Sequence, residues 1–197
     1  MFKLFKGPQR AYKTTCAVAC ILDMLRHNNP NWYQPRDVIS DTWLNIPDYT
    51  WLNDVQMKAY LQDMIDNSAY DTKLLHKIIF IDEMDKKLPH WGYTDKEQRQ
   101  LTTDLWQLGK SFDNLVGVSH LGAGIDNILR LQVDIEYYTP TPFNYNAERD
   151  IAWFCKLDNR FQSKGDPPLV EFSRIRDIQK MFDSWKMVKS DKRISRR

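Results

Sequence analysis

The sequence predicts an α/β fold in which a central, mostly parallel sheet is flanked by helices and followed by a C-terminal β-hairpin and helix. Strand-like and helix-like apolar patterns alternate along the 197 residues, and such alternation favours parallel strands joined by crossover helices. Two polar motifs follow predicted strands: a loop at residues 7–14 and a carboxylate pair after residues 77–81. Parallel strands bring their carboxyl ends to one edge of the sheet, so both motifs are expected at that edge.

The first half of the chain contains three predicted strands and two predicted helices. Strands are expected at residues 1–6, 38–46 and 77–81, and a helix at 14–27. Asn53 is expected to cap the second helix, because an asparagine side chain can accept hydrogen bonds from the first helical turn. The apolar positions of that helix recur at helical spacing and are Met57, Tyr60, Leu61, Met64 and Ile65.

The second half continues the alternation. A helix is expected whose apolar stripe is Leu101, Leu105, Leu108 and Phe112, and strands are expected at 115–120 and 133–138. Residues 148–157 and 169–174 form a predicted hairpin across a Gly/Pro loop. The last predicted helix begins near Ile175 and stacks Ile178, Met181, Phe182, Trp185 and Val188.

Length and composition fit a single domain at residues 1–188 with a basic tail at 189–197. A chain of 197 residues can bury a substantial core, and 42% hydrophobic with 27% charged residues is typical of a globular protein. No stretch approaches the ~20 apolar residues of a membrane helix, and lysines interrupt the N-terminus too early for a signal peptide. The three cysteines, Cys16, Cys20 and Cys155, form no paired framework and are expected to be thiols in a reducing cytoplasm.

The loop at residues 7–14 fits a phosphate-binding motif at Gly7, Lys13 and Thr14. A loop that opens onto a helix aims backbone N–H groups and the positive end of the helix dipole at phosphates. Lys13 is then expected on the β- and γ-phosphates of a nucleotide, and Thr14 offers its hydroxyl to Mg²⁺. Tyr12 stands where glycine is expected, because glycine allows positive φ and close approach to phosphate.

The strand at residues 77–81 is followed by Asp82 and Glu83, which supply the second half of such a site. Asp82 is expected to hold Mg²⁺, directly or through its water, and Glu83 to orient and deprotonate the attacking water. Each segment also has a simpler interpretation, as a core strand that runs into a solvated acidic turn or as a plain turn before a helix. In this order and at this separation, the two motifs together predict a P-loop nucleoside triphosphatase.

The order of the motifs resembles the small genome-packaging ATPases of viruses, which group with the FtsK/HerA-like and terminase-like motors. The matching segments are residues 7–14, 42–45, 78–83, 116–120, 125–130 and 178–185. The resemblance implies a P-loop ATPase that uses ATP and Mg²⁺ and forms a homo-oligomeric ring. It also implies work in the host cytoplasm, on double-stranded DNA, at a viral capsid or portal.

The resemblance assigns roles to individual residues as well. The nucleotide-binding residues would be Gly7, Arg10, Lys13, Thr14 and Thr15. Arg10 enters this set because terminases often carry a phosphate-contacting arginine in the loop. Thr14 and Asp82 would be the metal ligands and Glu83 the base. Tyr12 departs from the family pattern, and this departure bears on the rate of hydrolysis more than on nucleotide binding.

Three further residues would complete catalysis according to the same resemblance. Ser119 would sense the γ-phosphate, and His120 stands where the family usually has glutamine, so it could hydrogen-bond to the same oxygen. Arg130 is the candidate arginine finger that reaches a neighbouring subunit. Its alternative interpretation is a surface arginine near a helix C-terminus, where cations are favoured.

Contact with DNA is the least specific part of the interpretation, because a formal net charge of +2 is no nucleic-acid signature. Basic residues do cluster in the tail, at Lys186, Lys189, Lys192, Arg193, Arg196 and Arg197. A second group follows Glu83 and consists of Lys86, Lys87, His90, Trp91 and Lys96. Basic and aromatic side chains together could grip a DNA backbone, whereas charge runs are more often simply solvated.

Three classes of function therefore stay open. The first is an ATP-hydrolysing packaging motor, the second a P-loop kinase for a nucleotide or metabolite, and the third a non-enzymatic assembly protein with a decayed nucleotide site. Such kinases often lack the second carboxylate, so Glu83 counts against the second class, as does the resemblance of residues 119–130. Tyr12 favours the third class.

Overall fold

The computed structural model describes residues 1–26, 37–46, 49–53, 55–57, 59–60, 63, 77–87, 114–120, 125, 130–160 and 165–182. The strands in this part of the chain are β1 (Phe2–Gly7), β2 (Asp37–Ser40), β3 (Tyr49–Trp51), β4 (Lys77–Ile81), β5 (Asn114–His120), β6 (Ile135–Tyr138), β7 (Tyr145–Asn146), β8 (Ile151–Asp158) and β9 (Leu169–Ser173). The helices with full bounds are α1 (Lys13–Arg26), α2 (Met84–Lys87) and α3 (Ile175–Gln179).

All described strands belong to one sheet with the order β3-β2-β4-β5-β1-β6-β8-β7, and β9 also pairs with β8. The pairs from β3 to β6 are parallel. The three pairs made by β8 are antiparallel, so β8 and β9 form the predicted C-terminal hairpin. The predicted fold class, a mostly parallel sheet with helices and a closing hairpin, is confirmed.

Apolar side chains of the central strands face both sides of the sheet. In β4, Ile78 and Phe80 pack in the cluster that contains α1, whereas Ile79 and Ile81 pack on the other face with Met84 of α2. Burial on both faces explains why residues 78–81 are an unbroken apolar run rather than an alternating one. Core packing therefore fixes the strand ends, and the predicted polar site residues lie at the carboxyl ends of the strands or directly after them.

Two predicted elements differ from the structure. Residues 41–46 are not a continuation of the strand, because β2 ends at Ser40. The Ser40 hydroxyl accepts a hydrogen bond from the Thr42 N–H at 2.9 Å and donates one to the Thr42 carbonyl at 2.8 Å. A side chain that binds nearby backbone in this way replaces the ladder with a turn. This turn places Asp41 at a strand tip.

The last helix begins at Ile175 as predicted but ends at Gln179. Stacking of Met181 and Phe182 on this helix is therefore wrong. Instead, Phe182 forms an isolated bridge with Leu44, and the Met181 carbonyl accepts a hydrogen bond from the Asn45 N–H at 2.6 Å. The predicted positions 185 and 188 of this helix, like the tail at 189–197, lie outside the described residues.

The predicted cap at Asn53 is confirmed. Asn53 Oδ1 accepts a hydrogen bond from the Gln56 N–H at 2.9 Å, and Gln56 Oε1 accepts one from the Asn53 N–H at 3.1 Å, which is a reciprocal capping box. The predicted helix at 101–112 lies outside the described residues, and strands β3 and β7 were not predicted. In the part of the chain that the structure describes, no helix is long and apolar enough to cross a membrane.

Candidate functional site

The carboxyl ends of β1, β5 and β4 lie side by side. Gly7 at the end of β1 is level with His120 at the end of β5, and Ile81 at the end of β4 is level with Gly117. Strand β5 thus separates the glycine loop from the acidic strand by one strand width. The predicted residues at this edge of the sheet are Gly7, Asp82, Glu83, Ser119 and His120.

Lys13 is the first residue of α1 and is only 7% exposed. Its ammonium group donates hydrogen bonds to the carbonyls of Gly7 at 2.9 Å and Pro8 at 2.6 Å. Burial lowers the pKa of Lys13, and the neighbouring carboxylates of Asp82, Asp85 and Glu83 oppose that shift. A buried cation bound to neutral carbonyls inside a loop is well placed to receive an anion.

Thr14 faces the acidic strand across the sheet edge. Its hydroxyl oxygen lies 3.3 Å from each carboxylate oxygen of Asp82. Hydroxyl and carboxylate oxygens are hard ligands of the kind that Mg²⁺ prefers, and Mg²⁺ on a nucleotide needs only one or two of them from the protein. The described residues contain no cluster of three or more His, Cys, Asp or Glu that could hold a metal alone. The residues present therefore fit a Mg²⁺ ion shared with phosphates.

Asp41, which the sequence interpretation placed inside a strand, is the buried neighbour of Asp82. Its carboxylate accepts a hydrogen bond from the Asp82 N–H at 3.0 Å and forms an ion pair with Lys87. Burial, followed by the nearby charge of Asp41, raises the pKa of Asp82 to about 6. Burial also raises the pKa of Asp41, and Lys87 opposes that shift. The signal that could have located Asp41 resembles that for Asp82, because only Ser40 stands between Asp41 and the buried apolar residues of β2.

Glu83 follows Asp82 and has a left-handed backbone, with φ of 50°. Its N–H donates to Asp82 Oδ1 at 2.9 Å, and its exposed carboxylate accepts a hydrogen bond from Lys86 at 2.6 Å. The strained backbone turns the chain sharply from β4 into α2. The carboxylate of Glu83 is therefore held at the surface of the site, next to the metal-ligand candidate Asp82.

The end of β5 places Ser119 and His120 between the loop at residues 7–14 and the carboxylates that follow β4. The Ser119 hydroxyl is buried and donates to the His120 carbonyl at 3.2 Å. His120 is bound to Asp85 of α2, a residue to which the sequence interpretation gave no role because it lies outside the recognised motifs. The sensing roles of Ser119 and His120 stay predictions.

The loop itself has the backbone that its motif requires, although it lacks the second glycine. Arg10 and Tyr12 both adopt positive φ, 64° and 52° respectively. A Cβ at Gly7 would lie 2.9 Å from Thr139 Cγ2 and 3.1 Å from the Thr139 carbonyl, so a close approach requires glycine there. Thr15 is buried at the start of α1, and Arg10 is exposed.

Residues at the start of β7 support this loop. The Tyr12 ring stacks on Tyr145 with centroids 4.6 Å apart, and the Tyr145 hydroxyl donates to Asp150 at 2.8 Å. Asn144 is fully buried and donates a hydrogen bond to the Ala11 carbonyl at 3.1 Å. The sequence interpretation missed Asn144 and Tyr145, because they lie more than 130 residues from the loop and in no recognised motif.

Arg130 lies at the opposite edge of the sheet. It is exposed and precedes β6, which runs parallel to β1. Asp134, between Arg130 and β6, accepts a hydrogen bond from the N–H of Phe2 at the start of β1 at 2.6 Å. Arg130 is therefore remote from the loop of its own subunit, and its role as a finger toward a neighbouring subunit stays a prediction.

Comparison with solved structures agrees with this architecture. The N-terminal domain of zonular occludens toxin from Neisseria meningitidis superposes with a TM-score of 0.59 and 16% identity, covering 92% of this chain and 98% of that one. The genome packaging NTPase B204 from Sulfolobus turreted icosahedral virus 2, solved in complex with AMP, superposes with a TM-score of 0.55 and 9% identity, covering 85% and 96%. This chain therefore shares its α/β fold with these two proteins. No protein-family model and no curated protein matches the sequence.

The left-handed conformation at Tyr12 can be tested by substitution. A non-glycine residue with positive φ is strained by about 1 kcal/mol, and loss of an aromatic pair costs about 0.5–1.5 kcal/mol. Tyr12→Ala loses the stack and keeps the strain, whereas Tyr12→Gly loses the stack but relieves the strain. We therefore expect Tyr12→Gly to be about 1 kcal/mol more stable than Tyr12→Ala in chemical denaturation. Tyr12→Phe, which keeps the ring, should stay close to the wild type.

If the alanine variant were as stable as the glycine variant, position 12 would not be left-handed in solution. Tyr145→Ala is the matched test of the stack. It should destabilise the wild type by about 0.5–1.5 kcal/mol more than it destabilises Tyr12→Gly, because both backgrounds lose the hydrogen bond to Asp150 but only the wild type also loses the stack.

The raised pKa of Asp82 predicts a dependence of stability on pH. Since the pKa of Asp82 is about 6 in the folded protein and 3.8 is the ordinary value, the folded state binds the extra proton between these values. Stability should therefore fall as pH rises through this window, by about 1 kcal/mol between pH 5 and pH 7. Chemical denaturation at several pH values measures this change in the free energy of unfolding. Asp82→Asn is the control, because its amide cannot titrate. Equal pH profiles for the two proteins would contradict the raised pKa.

Proposed function

We propose that this protein is an ATPase motor that hydrolyses ATP to ADP and phosphate and uses the energy to translocate double-stranded viral DNA into a capsid. The motor would work as a homo-oligomeric ring in the host cytoplasm, docked on a viral capsid or portal, among the FtsK/HerA-like or terminase-like motors. The ATPase part of the proposal depends on the local site. The packaging part depends on the order of the motifs and on the viral neighbour of the fold.

The observation that carries the ATPase proposal is the contact between the loop and the acidic strand. Thr14 lies 3.3 Å from both carboxylate oxygens of Asp82, and the neighbouring Lys13 is buried within the loop. Two segments 68 residues apart in sequence thus meet with the hydroxyl, carboxylate and ammonium groups that a magnesium nucleotide requires. The simpler interpretations, a core strand before a solvated turn and a plain turn before a helix, do not require these three groups to lie together.

Each residue then has a separate task in hydrolysis. Lys13 leaves the carbonyls of Gly7 and Pro8 to bind phosphate oxygens, and the positive-φ backbone at Tyr12 lets loop N–H groups face the same anion. Glu83 accepts a proton from the water that attacks the γ-phosphorus, while the bond to the departing ADP breaks. Mg²⁺, when held by Thr14 and Asp82, would neutralise charge on the β- and γ-phosphates.

The positive φ of Tyr12 also bears on the alternative of a decayed nucleotide site. A loop that no longer binds nucleotide does not need a strained backbone. Tyr12 nevertheless has φ of 52°, and its ring stacks on Tyr145. This favours a loop that still binds phosphate. The packaging function itself is supported by the likeness to the genome packaging NTPase B204, whose chain is covered over 96% of its length.

The deciding experiment is ATP hydrolysis with and without DNA. The motor predicts hydrolysis that duplex DNA stimulates and that weakens steeply as salt rises, because contacts with DNA phosphates release counterions. A kinase would instead transfer the γ-phosphate to a nucleotide or metabolite and ignore DNA. An assembly protein with a decayed site would bind nucleotide weakly and would not hydrolyse it.

Two substitutions separate binding from chemistry. Glu83→Gln should keep ATP affinity and lower the hydrolysis rate by ~10²–10⁴, because it removes only the base. Lys13→Ala should lose ATP binding, since it removes the buried cation. Equilibrium binding and steady-state hydrolysis of purified full-length protein measure the two effects. Unchanged turnover in Glu83→Gln would remove Glu83 as the base.

The proposed finger predicts complementation between subunits. An arginine supplied by a neighbour can be worth ~10³–10⁵ in rate, so Arg130→Ala should be inactive alone. Mixed with Glu83→Gln, it should regain activity, because some interfaces then combine an intact base with an intact arginine. Arg149→Ala, which alters an exposed arginine paired with Glu171, is the control and should keep full activity. A mixture shown to be oligomeric by mass but still inactive would remove Arg130 as the finger and leave Arg10, the arginine of the loop, or an unidentified residue.

A further inference from the structure

Both oxygens of the Asp85 carboxylate bind a single residue. Oδ1 accepts a hydrogen bond from the His120 backbone N–H at 3.3 Å, and Oδ2 lies 3.1 Å from His120 Nδ1. The two side chains are largely buried, with exposed fractions of 16% for Asp85 and 29% for His120. One carboxylate therefore fixes the backbone and the ring of His120 together, and links α2 to the tip of β5.

The contact with Asp85 determines which ring nitrogen of His120 is available to bind a ligand. An ionised carboxylate only accepts hydrogen bonds, so Nδ1 facing Asp85 must carry a proton. The described part of the chain provides no hydrogen-bond partner for the other nitrogen, Nε2. A histidine that is bound through one nitrogen presents the second in a fixed direction, as in carboxylate–histidine pairs at metal sites.

The position of His120 suggests what Nε2 meets. His120 is level with Gly7, the first residue of the loop, and the Gly7 carbonyl binds the Lys13 ammonium. Asp85 lies close enough to Lys13 for its charge to oppose the lowering of the lysine pKa. The His120–Asp85 pair therefore borders the loop on the side where Asp82 and Glu83 lie, which is the γ-phosphate side of the proposed site.

We propose that Asp85 is a positioning residue that holds His120 so that Nε2 donates a hydrogen bond to the γ-phosphate of ATP. The inference rests on the proposed function of the loop. Phosphate oxygens only accept hydrogen bonds, so Nε2 acts as the donor in this contact while Nδ1 stays bound to the Asp85 carboxylate. A nucleoside diphosphate has no γ-phosphate and leaves Nε2 without this contact.

The same pair connects the γ-phosphate to the base. Asp85 is two residues after Glu83, in the single turn of α2, and the Lys86 N–H of that turn donates to the Glu83 carbonyl at 2.9 Å. Asp85 therefore links His120 to the turn that directly follows Glu83.

The experiment measures the affinity of full-length protein for two probes by titration calorimetry with Mg²⁺: ADP, and a β,γ-imido analogue of ATP that cannot be hydrolysed. Asp85→Asn should lower the affinity for the analogue about 10- to 100-fold, because it removes a charge-assisted contact with His120. The affinity for ADP should change less than twofold. Retained ADP binding shows that the variant is folded. Asp177→Asn, which alters an exposed aspartate paired with Lys180, is the matched control and should change neither affinity.

A second variant distinguishes positioning from structural support. Glutamine donates from a neutral amide and needs no carboxylate behind it, so in the His120→Gln background Asp85→Asn should change analogue affinity less than twofold. Equal losses for ADP and the analogue, or the same loss in the His120→Gln background, would overturn the positioning role. If the wild type binds neither probe, or if Lys13→Ala binds both as well as the wild type, the proposed function itself fails and the inference fails with it.

Discussion

The parallel register of β1, β5 and β4 fixes the distance between the phosphate-type loop and the acidic residues. Gly7 is level with His120 and Ile81 with Gly117, so the loop, the polar end of β5 and the carboxylates are spaced by neighbouring strands. Both faces of these strands are covered by apolar clusters, so the strand ends cannot shift without loss of core packing. Every proposed contact at the site depends on this fixed edge of the sheet.

The site concentrates negative charge that the fold must compensate. Asp41 is fully buried and paired with Lys87, and its charge helps to raise the pKa of Asp82 to about 6. The raised pKa of Asp82 indicates that the neighbouring groups do not fully compensate its negative charge. A divalent cation would compensate this charge. The carboxylates that lower the stability of the protein without a cation therefore fit the binding of a Mg²⁺ nucleotide.

The start of β7 is part of the site although it carries no recognised motif. Asn144 donates a hydrogen bond to the Ala11 carbonyl, and Tyr145 stacks on Tyr12. In the strand order, these residues lie on one side of β1 and Asp82 on the other. This support lets a tyrosine adopt the left-handed backbone that the motif normally obtains from glycine. The departure at Tyr12 is thus accompanied by a local structure that tolerates it.

The sequence by itself determined the elements whose signals are local. The apolar run at 78–81 predicted β4, the spacing of Gly7, Lys13 and Thr14 predicted a loop before α1, and Asn53 predicted a cap that is present. The fold class followed from the alternation of these elements, because strands buried on both faces and joined by helices form parallel sheets.

Only the tertiary structure decided which distant side chains meet. The sequence placed Asp41 inside a strand, and only the side-chain turn at Ser40 ended that strand and brought Asp41 to Asp82. The pairing of Asp85 with His120 and the stack of Tyr12 on Tyr145 join residues with no common motif. Local patterns report hydrophobic periodicity and turn chemistry, whereas hydrogen bonds, burial and pKa shifts depend on neighbours that only the folded sheet supplies.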